Sequence, residues 1–139
     1  MLLEAKGDGG GKARALRDLL HKGTVAMPGA FNAPVAMTAQ NLGFEAVYIS
    51  GAGLINGTAG YPDIGLLGMD EMAREAGYIA RAVQVPAICD ADTGYGEALQ
   101  VMRTVQSFER EGLAGVHLED QVAPKRCGHL EGKSLISTA

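Results

Sequence analysis

Val85-Pro86-Ala87-Ile88-Cys89-Asp90-Ala91-Asp92 is an apolar run that ends in two carboxylates, and the rest of the chain repeats this pattern. A run without strict alternation of apolar and polar residues is typical of a strand buried on both faces of a parallel sheet. Comparable apolar runs lie at residues 24–27, 45–50 and 115–118. Polar side chains follow the last two, at Ser50 and Glu119. The sequence therefore predicts an α/β protein with four short parallel strands.

Helical patterns separate these apolar runs. Apolar residues recur at helical spacing, bounded by glycines or polar caps, in residues 12–21, 34–41, 70–83 and 97–111. Asp70 is the predicted N-cap of the third helix. Residues 51–67 are rich in Gly and Pro and are predicted to form a long loop. Two topologies remain, a doubly wound open sheet or a (β/α) barrel, and in both the carboxyl ends of the strands carry the chemistry.

Size and composition exclude several classes of function. The 139 residues are 47% hydrophobic and 20% charged, which is typical of a globular domain. The formal net charge is −4, no basic run is longer than two residues and Trp is absent, so we expect no nucleic-acid or membrane partner. The amino terminus lacks a basic segment followed by an apolar one, so we predict no signal peptide. The two cysteines, Cys89 in a strand and Cys127 in a loop, favour a reducing cytoplasm.

Three acids predict a metal site at the ends of two neighbouring strands. Asp90 and Asp92 are two residues apart, so on an extended segment their side chains point the same way. Glu119 follows the next strand. Such a set of hard oxygen donors suits Mg²⁺, which keeps several waters and accepts one or two carboxylates. The alternative is that these acids are solvated loop residues and helix caps.

The loop after the last strand contains a candidate reactive thiol. Cys127 is preceded by Lys125 and Arg126 and followed by Gly128 and His129. Neighbouring cations lower the pKa of a thiol and make it a usable proton donor or nucleophile. A lone cysteine is more often a small buried hydrophobic residue, and this remains the alternative for Cys127 from the residues alone. For Cys89 and for His117, which lies inside a predicted strand, a core position is the preferred interpretation.

Small residues after the second strand predict an anion site. Ser50-Gly51-Ala52-Gly53 would let backbone N–H groups approach a carboxylate or phosphate closely. The alternative is an ordinary glycine turn. The segment imitates a dinucleotide fingerprint, but the third glycine is missing and no helix is predicted to begin there, so we reject that interpretation.

Six short motifs together resemble the isocitrate lyase/phosphoenolpyruvate mutase superfamily. They are Pro28-Gly29-Ala30-Phe31-Asn32-Ala33, Val47-Tyr48-Ile49-Ser50-Gly51-Ala52-Gly53, Pro62-Asp63-Ile64-Gly65, Asp90-Ala91-Asp92-Thr93-Gly94-Tyr95-Gly96, His117-Leu118-Glu119-Asp120-Gln121 and Lys125-Arg126-Cys127-Gly128-His129. The last motif resembles the carbon–carbon lyase branch, and within it the chain is most similar to the 2-methylisocitrate lyases. The resemblance implies a (β/α)8 TIM barrel, of which this chain covers about the first four βα units.

The resemblance also implies a reaction, the retro-aldol cleavage of 2-methylisocitrate to pyruvate and succinate. Mg²⁺ would be held by Asp92, with Asp90 and Glu119 contributing directly or through waters. Ser50, Gly51 and Ala52 would hold the pyruvate carboxylate, and Asp63 would lie beside the pyruvyl group. Tyr48 would help to remove the hydroxyl proton, and Cys127 would protonate the succinate carbanion. The ionisation of the Cys127 thiol would be set by Lys125, Arg126 and His129. Arg126 and Gly128 would also belong to the substrate-binding loop.

A complete barrel takes about 250 residues. We therefore expect residues 1–11 to form a loose leader and residues 12–139 to form the amino-terminal half of a barrel, truncated before its second half. The resemblance implies a small carboxylic acid as substrate, a cytoplasmic location and a homotetramer when the protein is full length. The alternatives are another acid lyase or an oxaloacetate decarboxylase of the same superfamily, or a truncated remnant without activity.

Overall fold

The computed structural model describes residues 9–137, and these contain four parallel strands and five helices. In chain order they are α1 (Gly9–Lys22), β1 (Gly29–Ala30), α2 (Ala33–Asn41), β2 (Val47–Ile49), α3 (Gly51–Ala59), α4 (Met69–Ala82), β3 (Ala87–Asp90), α5 (Ala98–Arg110) and β4 (Gly115–His117). The alternation of strands and helices confirms the predicted α/β class. The first helix begins at Gly9 rather than Lys12, and residues 1–8 of the predicted leader lie outside the described residues.

The four strands form one parallel sheet in the order β1-β2-β3-β4. Ile49 of β2 lies opposite Cys89 of β3, and Asp90 at the end of β3 lies opposite His117 of β4. This register brings the carboxyl ends of the strands to one edge of the sheet. Side chains that follow neighbouring strands therefore meet there, as the sequence predicts.

The core lies between the sheet and the helices on one of its faces. Val47, Ile49 and Cys89 are fully buried, and they alternate along their strands with half-buried residues on the other face. Among the helices, α4 contributes the largest apolar surface to this core, with Phe108 of α5 packed in the same cluster. The α4 residues are Met72, Ala73, Ala76, Ile79 and Ala80. The prediction that Cys89 is a core residue is confirmed.

A buried lysine attaches α1 to the rest of the fold. Lys12 is 5% exposed, and its Nζ donates hydrogen bonds to the carbonyl oxygens of Ala80 (2.7 Å) and Val83 (2.6 Å). These carbonyls lie at the carboxyl end of α4, where the last turn of a helix has unpaired acceptors and a partial negative charge. Burial lowers the pKa of Lys12, and the two hydrogen bonds compensate for the water that the ammonium loses.

The segment predicted as a long loop at residues 51–67 begins with a helix instead. Ser50 is the N-cap of α3, and its Oγ accepts a hydrogen bond from the N–H of Gly53 at 3.1 Å. Leu54 is buried against the sheet, and Gly60 ends the helix with a left-handed φ of 68°. The prediction of a loop is wrong because it rested on the glycine content. The N-cap at Ser50 and the burial of Leu54 together outweigh the poor helix propensity of glycine. One ground for rejecting a dinucleotide fingerprint, the missing helix, is therefore wrong; the missing third glycine remains.

The predicted N-cap of α4 is also wrong. Gly68 is the cap, Asp70 lies in the first turn, and the Glu71 carboxylate accepts a hydrogen bond from the N–H of Gly68 at 2.9 Å. Acidic residues in the first turn interact favourably with the helix dipole, so Asp70 keeps an electrostatic role there. Among residues 9–137, no helix is long and apolar enough to cross a bilayer.

Candidate active site

Backbone hydrogen bonds hold the acidic strand ends together. Asp90 Oδ1 accepts from the N–H of Asp92 at 3.1 Å, which closes a tight turn after β3. The N–H of Glu119 donates to the carbonyl of Asp92 at 2.8 Å and links this turn to the end of β4. Asp92 has a φ of 47°, in the left-handed region that non-glycine residues rarely adopt. The turn thus holds Asp92 in an uncommon conformation beside the other two acids.

The three carboxylates lie in one electrostatic environment. Burial is the main cause that raises the pKa of Asp92, and the negative charges of Asp90 and Asp63 add to it, while Lys125 opposes the shift. Burial likewise raises the pKa of Glu119, with Lys125 opposing and Asp90 and Asp92 adding to the shift. Burial and the negative charges of neighbouring acids therefore disfavour the ionisation of Asp92 and Glu119, a condition that a nearby cation relieves.

The Lys125 ammonium is that cation in this structure. Its Nζ lies 2.6 Å from Asp63 Oδ1 and 2.5 Å from Asp92 Oδ1, and its side chain is only 3% exposed. Burial lowers its pKa, but the hydrogen bonds to Asp63 and Asp92 outweigh this, so that the pKa of Lys125 is raised overall. The sequence predicted that Lys125 would act on the Cys127 thiol, but its charge lies with the strand-end acids.

The acids suit a metal by their chemistry, although they do not form a closed ligand set here. Asp90, Asp92 and Glu119 offer carboxylate oxygens, the donors that Mg²⁺ prefers. Among residues 9–137, no group of three His, Cys, Asp or Glu side chains is arranged closely enough to hold a metal ion. The structure brings the predicted ligands to one edge of the sheet, and the Lys125 ammonium contacts one of them, Asp92, together with Asp63.

The predicted cysteine loop lies over this edge. Cys127 is half-buried, and its Sγ lies 3.7 Å from Nδ1 of the exposed His129. The exposed Arg126 side chain donates to the carbonyl of Glu131 at 3.4 Å, and the carbonyl of Gly128 accepts from Lys133 Nζ at 2.6 Å. Cys127 and His129 thus form the direct pair of this loop, and Arg126 and Gly128 hold its shape.

The segment predicted as an anion site, Ser50 to Gly53, lies at the amino end of α3. The N–H groups of Gly51 and Ala52 belong to the first turn, where no intrahelical acceptor exists. The Ser50 Oγ is occupied as the N-cap acceptor, and it keeps its own O–H as a donor. A Cβ at Gly51 would lie 2.9 Å from Asp90 Oδ2, so only glycine allows this close approach of the carboxylate to the helix.

Tyr48 and His117 form a pair on the half-buried face of the sheet. The Tyr48 hydroxyl lies 3.1 Å from His117 Nδ1. Burial, followed by the negative charges of Asp90 and Glu119, raises the pKa of Tyr48 to about 12, so the phenol is protonated at neutral pH. The prediction that His117 is a core residue is wrong: it is exposed, because it lies at the last position of β4 on the face opposite the helices.

The family described as phosphoenolpyruvate phosphomutase matches residues 16–138 of this chain. The chain belongs to this family. Over 123 residues it is 52% identical to the 2-methylisocitrate lyase of Aeropyrum pernix, which covers 88% of this chain and 40% of that protein. Over 126 residues it is 48% identical to the 2,3-dimethylmalate lyase of Eubacterium barkeri, which covers 90% of this chain and 44% of the relative. The predicted superfamily is confirmed.

Solved structures of the phosphoenolpyruvate phosphomutase family share the fold. Oxaloacetate acetylhydrolase in complex with the inhibitor 3,3-difluorooxalacetate superposes with a TM-score of 0.85 at 40% identity, over 94% of this chain and 44% of that one. Phosphonopyruvate hydrolase in complex with oxalate and Mg²⁺ gives a TM-score of 0.77 at 32% identity, over 83% and 41% of the two chains. The chain spans less than half the length of these relatives, and the predicted parallel sheet of a TIM-barrel enzyme is confirmed.

In this member of the phosphoenolpyruvate phosphomutase family, sequence reasoning missed two residues at the site. His117 pairs with Tyr48, and Gln121, only 8% exposed, bonds to Glu119 and to the backbone of the cysteine loop. A signal was present, because His117, Glu119 and Gln121 are two residues apart, and alternate residues of an extended segment share a face. The period-two pattern continues past the end of β4, where the sequence was interpreted as a loop.

Proposed function

We propose that the full-length protein is a Mg²⁺-dependent carbon–carbon lyase that cleaves 2-methylisocitrate to pyruvate and succinate. One observation supports this most strongly: Lys125, two residues before Cys127, forms ion pairs with Asp92, which follows β3, and with Asp63, which lies between α3 and α4. The reactive-thiol loop and the acidic edge are thereby joined in one site. A thiol on a loop that is anchored to a cluster of carboxylates suits a reaction in which a carbanion forms next to a bound 2-hydroxy acid.

The carboxylate of the pyruvyl half would bind at the amino end of α3. The N–H groups of Gly51 and Ala52 and the Ser50 hydroxyl supply three donors there, and the helix dipole favours a negative charge. Because these donors belong to a helix that packs on the sheet, their position is set before the substrate arrives. Such preorganisation supports a site for the carboxylate that stays unchanged during the reaction.

Tyr48 would handle the hydroxyl proton of the substrate. A retro-aldol cleavage requires this proton to leave as the C–C bond breaks and the carbonyl of pyruvate forms. Tyr48 shares a hydrogen bond with His117 Nδ1 at 3.1 Å, so the imidazole offers an acceptor for a proton that passes through the phenol. His117 is exposed and can return that proton to solvent.

Cys127 would deliver the second proton. The electron pair of the broken bond passes to the succinyl half, whose carboxylate stabilises the carbanion as an enediolate. Cys127 donates its thiol proton to this carbon and becomes a thiolate. The exposed His129, whose Nδ1 lies 3.7 Å from Sγ, can then pass a proton from solvent to the thiolate and restore the thiol. The half-buried position of Cys127 limits the access of water, which would otherwise protonate the carbanion without control of the face.

Asp90, Asp92 and Glu119 would hold the Mg²⁺ ion of the full-length enzyme. When bound there, the ion acts as a Lewis acid for the oxygens of the 2-hydroxy acid. The mutual electrostatic influence of these acids and their place at the strand ends support this assignment. The Mg²⁺ and oxalate described in phosphonopyruvate hydrolase support it as well.

Pyruvate release from 2-methylisocitrate tests the proposal. We expect the full-length protein to release pyruvate and succinate in equal amounts, to lose this activity with EDTA and to recover it with Mg²⁺. Cys127→Ala should lower turnover by about 10²–10⁴, the usual contribution of general acid catalysis, while binding of pyruvate persists. No release by the Mg²⁺-loaded, folded protein would identify it as a remnant without this activity.

A second candidate activity is the cleavage of a related substrate, 2,3-dimethylmalate or oxaloacetate. The 48% identity to the 2,3-dimethylmalate lyase is close to the 52% identity to the 2-methylisocitrate lyase, and the structural similarity to oxaloacetate acetylhydrolase is high. All three substrates present a carboxylate to the same strand ends. A kcat/KM comparison on the three acids decides among them, and a value for either alternative above that for 2-methylisocitrate would replace the first candidate.

The assembly and location are also proposals. We propose a cytoplasmic homotetramer for the full-length protein, as the family resemblance implies. Light scattering after gel filtration tests the mass, and a monomer of undiminished activity would contradict the tetramer. Microscopy of a fluorescent fusion tests the location, and a signal confined to an organelle would contradict a cytoplasmic protein.

A further inference from the structure

The segment that carries Cys127, residues 121–136, is held by polar contacts rather than by apolar packing, and we name it the cysteine arm. At its base, the N–H of Val122 donates to the carbonyl of Ser134 at 2.7 Å, and that of Ile136 donates to the carbonyl of Asp120 at 2.9 Å. The large apolar side chains of the arm are exposed, with Leu130 54%, Leu135 62% and Ile136 58% exposed. Apolar burial therefore does not determine where the thiol lies.

Gln121 connects the arm to the acidic edge with three hydrogen bonds. Its Oε1 accepts from the N–H of Arg126 at 3.0 Å. Its Nε2 donates to the carbonyl of Arg126 at 2.9 Å and to Glu119 Oε2 at 2.8 Å. The side chain is buried, and the pattern fixes the orientation of the amide, since a flip would set oxygen against the two acceptors.

The bonded groups of Arg126 are its backbone N–H and C=O, which do not depend on its side chain. The peptide units on both sides of Arg126 are thereby fixed, and one of them leads directly to Cys127. Lys125, on the other side, is fixed by Asp63 and Asp92. The thiol therefore follows a backbone that is held at two consecutive residues, one through Gln121 and one through Lys125.

We propose that Gln121 is a positioning residue that couples the cysteine arm to Glu119, so that the thiol and the strand-end carboxylates keep a fixed relation. The importance of this coupling for catalysis rests on the proposed function, in which Cys127 is the proton donor. The coupling itself is a property of the chain without metal or substrate. A change in the position of Glu119 is passed through one amide to the peptide next to Cys127.

The test compares Gln121→Met with the wild type in the full chain, with EDTA present and without substrate. Methionine has a similar size but replaces no hydrogen bond. We expect amide hydrogen exchange at Arg126 to accelerate at least about tenfold, the factor that corresponds to about one lost net hydrogen bond. We expect the rate of Cys127 alkylation by iodoacetamide to change severalfold, and exchange in β2 and β3 to remain unchanged.

Two further variants make the test specific. Gln121→Glu keeps the size of the side chain and one acceptor, but it removes both N–H donors and repels Glu119. It should therefore reproduce the effects of Gln121→Met. It replaces Gln121→Met in the test if that variant does not fold. Val122→Ala is the matched control, because the Val122 side chain is 45% exposed and only its backbone makes a bond. Exchange at Arg126 and alkylation of Cys127 should be unchanged in this control.

Two results would overturn the inference. One is unchanged Arg126 exchange and Cys127 alkylation in both Gln121 variants. The other is an equal acceleration of exchange in the arm and in β2 and β3, which would make Gln121 a general stabilising residue. In the active full-length protein, the Gln121 variants should lower kcat more than they change KM. If Cys127→Ala retained full activity while Gln121→Met still released the arm, the proposed function would fail and the coupling would remain.

Discussion

The parallel sheet and the cysteine arm both contribute to the candidate site, but different forces hold them. Val47, Ile49 and Cys89 are completely buried, and a continuous ladder fixes their strands in register. The arm carries Cys127 on a backbone secured by a few side-chain hydrogen bonds and one lysine between two acids. We therefore expect the sheet to resist local opening and the arm to depend on its few polar contacts.

The sheet and the cysteine arm therefore contribute different groups to the candidate site. The sheet and the amino end of α3 provide carboxylates and backbone donors at one edge, and the arm provides a thiol whose position depends on a few polar contacts. Reactive segments over active sites generally belong to the less stable parts of a protein, because they must move during turnover. Five predictions test whether function depends on the arm and stability on the sheet.

The two cysteines should separate activity from stability most clearly. Cys127→Ala removes the proposed proton donor, so we expect kcat to fall by about 10²–10⁴, the usual contribution of general acid catalysis. Its thermal unfolding should match that of the wild type. Cys89→Ala is the control, since Cys89 is fully buried in the core. It should lose about 1–2 kcal/mol of unfolding free energy and keep its activity per folded molecule. Activity of Cys127→Ala within tenfold of the wild type would reject the role of the thiol.

Truncation of a core side chain should destabilise the sheet far more than truncation in the arm. Ile49→Ala removes a fully buried side chain of β2, and we expect a loss of about 2–5 kcal/mol in urea unfolding. Leu135→Ala removes a side chain that is 62% exposed, and we expect a change within about 0.5 kcal/mol. Equal losses would mean that the arm is part of the core.

Removal of Lys125 should weaken the contact between the two regions. Lys125→Met leaves Asp92 without its cation, and we expect about 1.5–3 kcal/mol less stability at neutral pH, the magnitude of hydrogen bonds to charged groups. Arg126→Met is the matched control for the loss of one positive charge, because the Arg126 side chain is exposed. A loss as large in Arg126→Met would show that net charge, rather than the buried contact, causes the effect.

The same contact gives stability a defined pH dependence. The pKa of Lys125 in the folded chain lies above its ordinary value of 10.5. The folded state therefore keeps a proton that the unfolded chain loses, and this stabilisation is complete below pH 10.5 and declines as pH rises through the folded pKa. Urea unfolding at about pH 9 and about pH 12 should show a larger loss for the wild type than for Lys125→Met. Parallel losses in both proteins would exclude Lys125 as the cause.

The smallest expected effect comes from the close approach of Gly51 to Asp90. A methyl group in Gly51→Ala would displace the Asp90 carboxylate, so we expect the Mg²⁺ concentration for half-maximal activity to rise about tenfold. Gly29→Ala is the control, because a Cβ at Gly29 would meet nothing within 4 Å. If the wild type, Gly51→Ala and Gly29→Ala reached half-maximal activity at the same Mg²⁺ concentration, Asp90 would tolerate this displacement.

The strands and most helices could be predicted because their patterns are local. Apolar runs at 45–50, 85–89 and 115–118 predicted strands, and β2, β3 and β4 lie within or beside them. Two elements differ from the prediction. The first strand is β1 at Gly29–Ala30 rather than the apolar run at 24–27, and α3 follows from a cap at Ser50 and the burial of Leu54. Its glycines were weighed as loop formers, since their helical state depends on what packs against them.

The sequence by itself determined the apolar periods, the strand-end acids and the placement of Cys127 after the last strand. It also carried the motifs by which the chain belongs to its family. The tertiary structure alone decided that the Lys125 charge lies with Asp63 and Asp92, that His117 faces Tyr48, and that Gln121 bonds to Arg126. Hydrophobic periodicity and secondary-structure propensity are properties of residues that are close in sequence. These polar contacts instead depend on the directions and distances between side chains, which the register of the sheet sets.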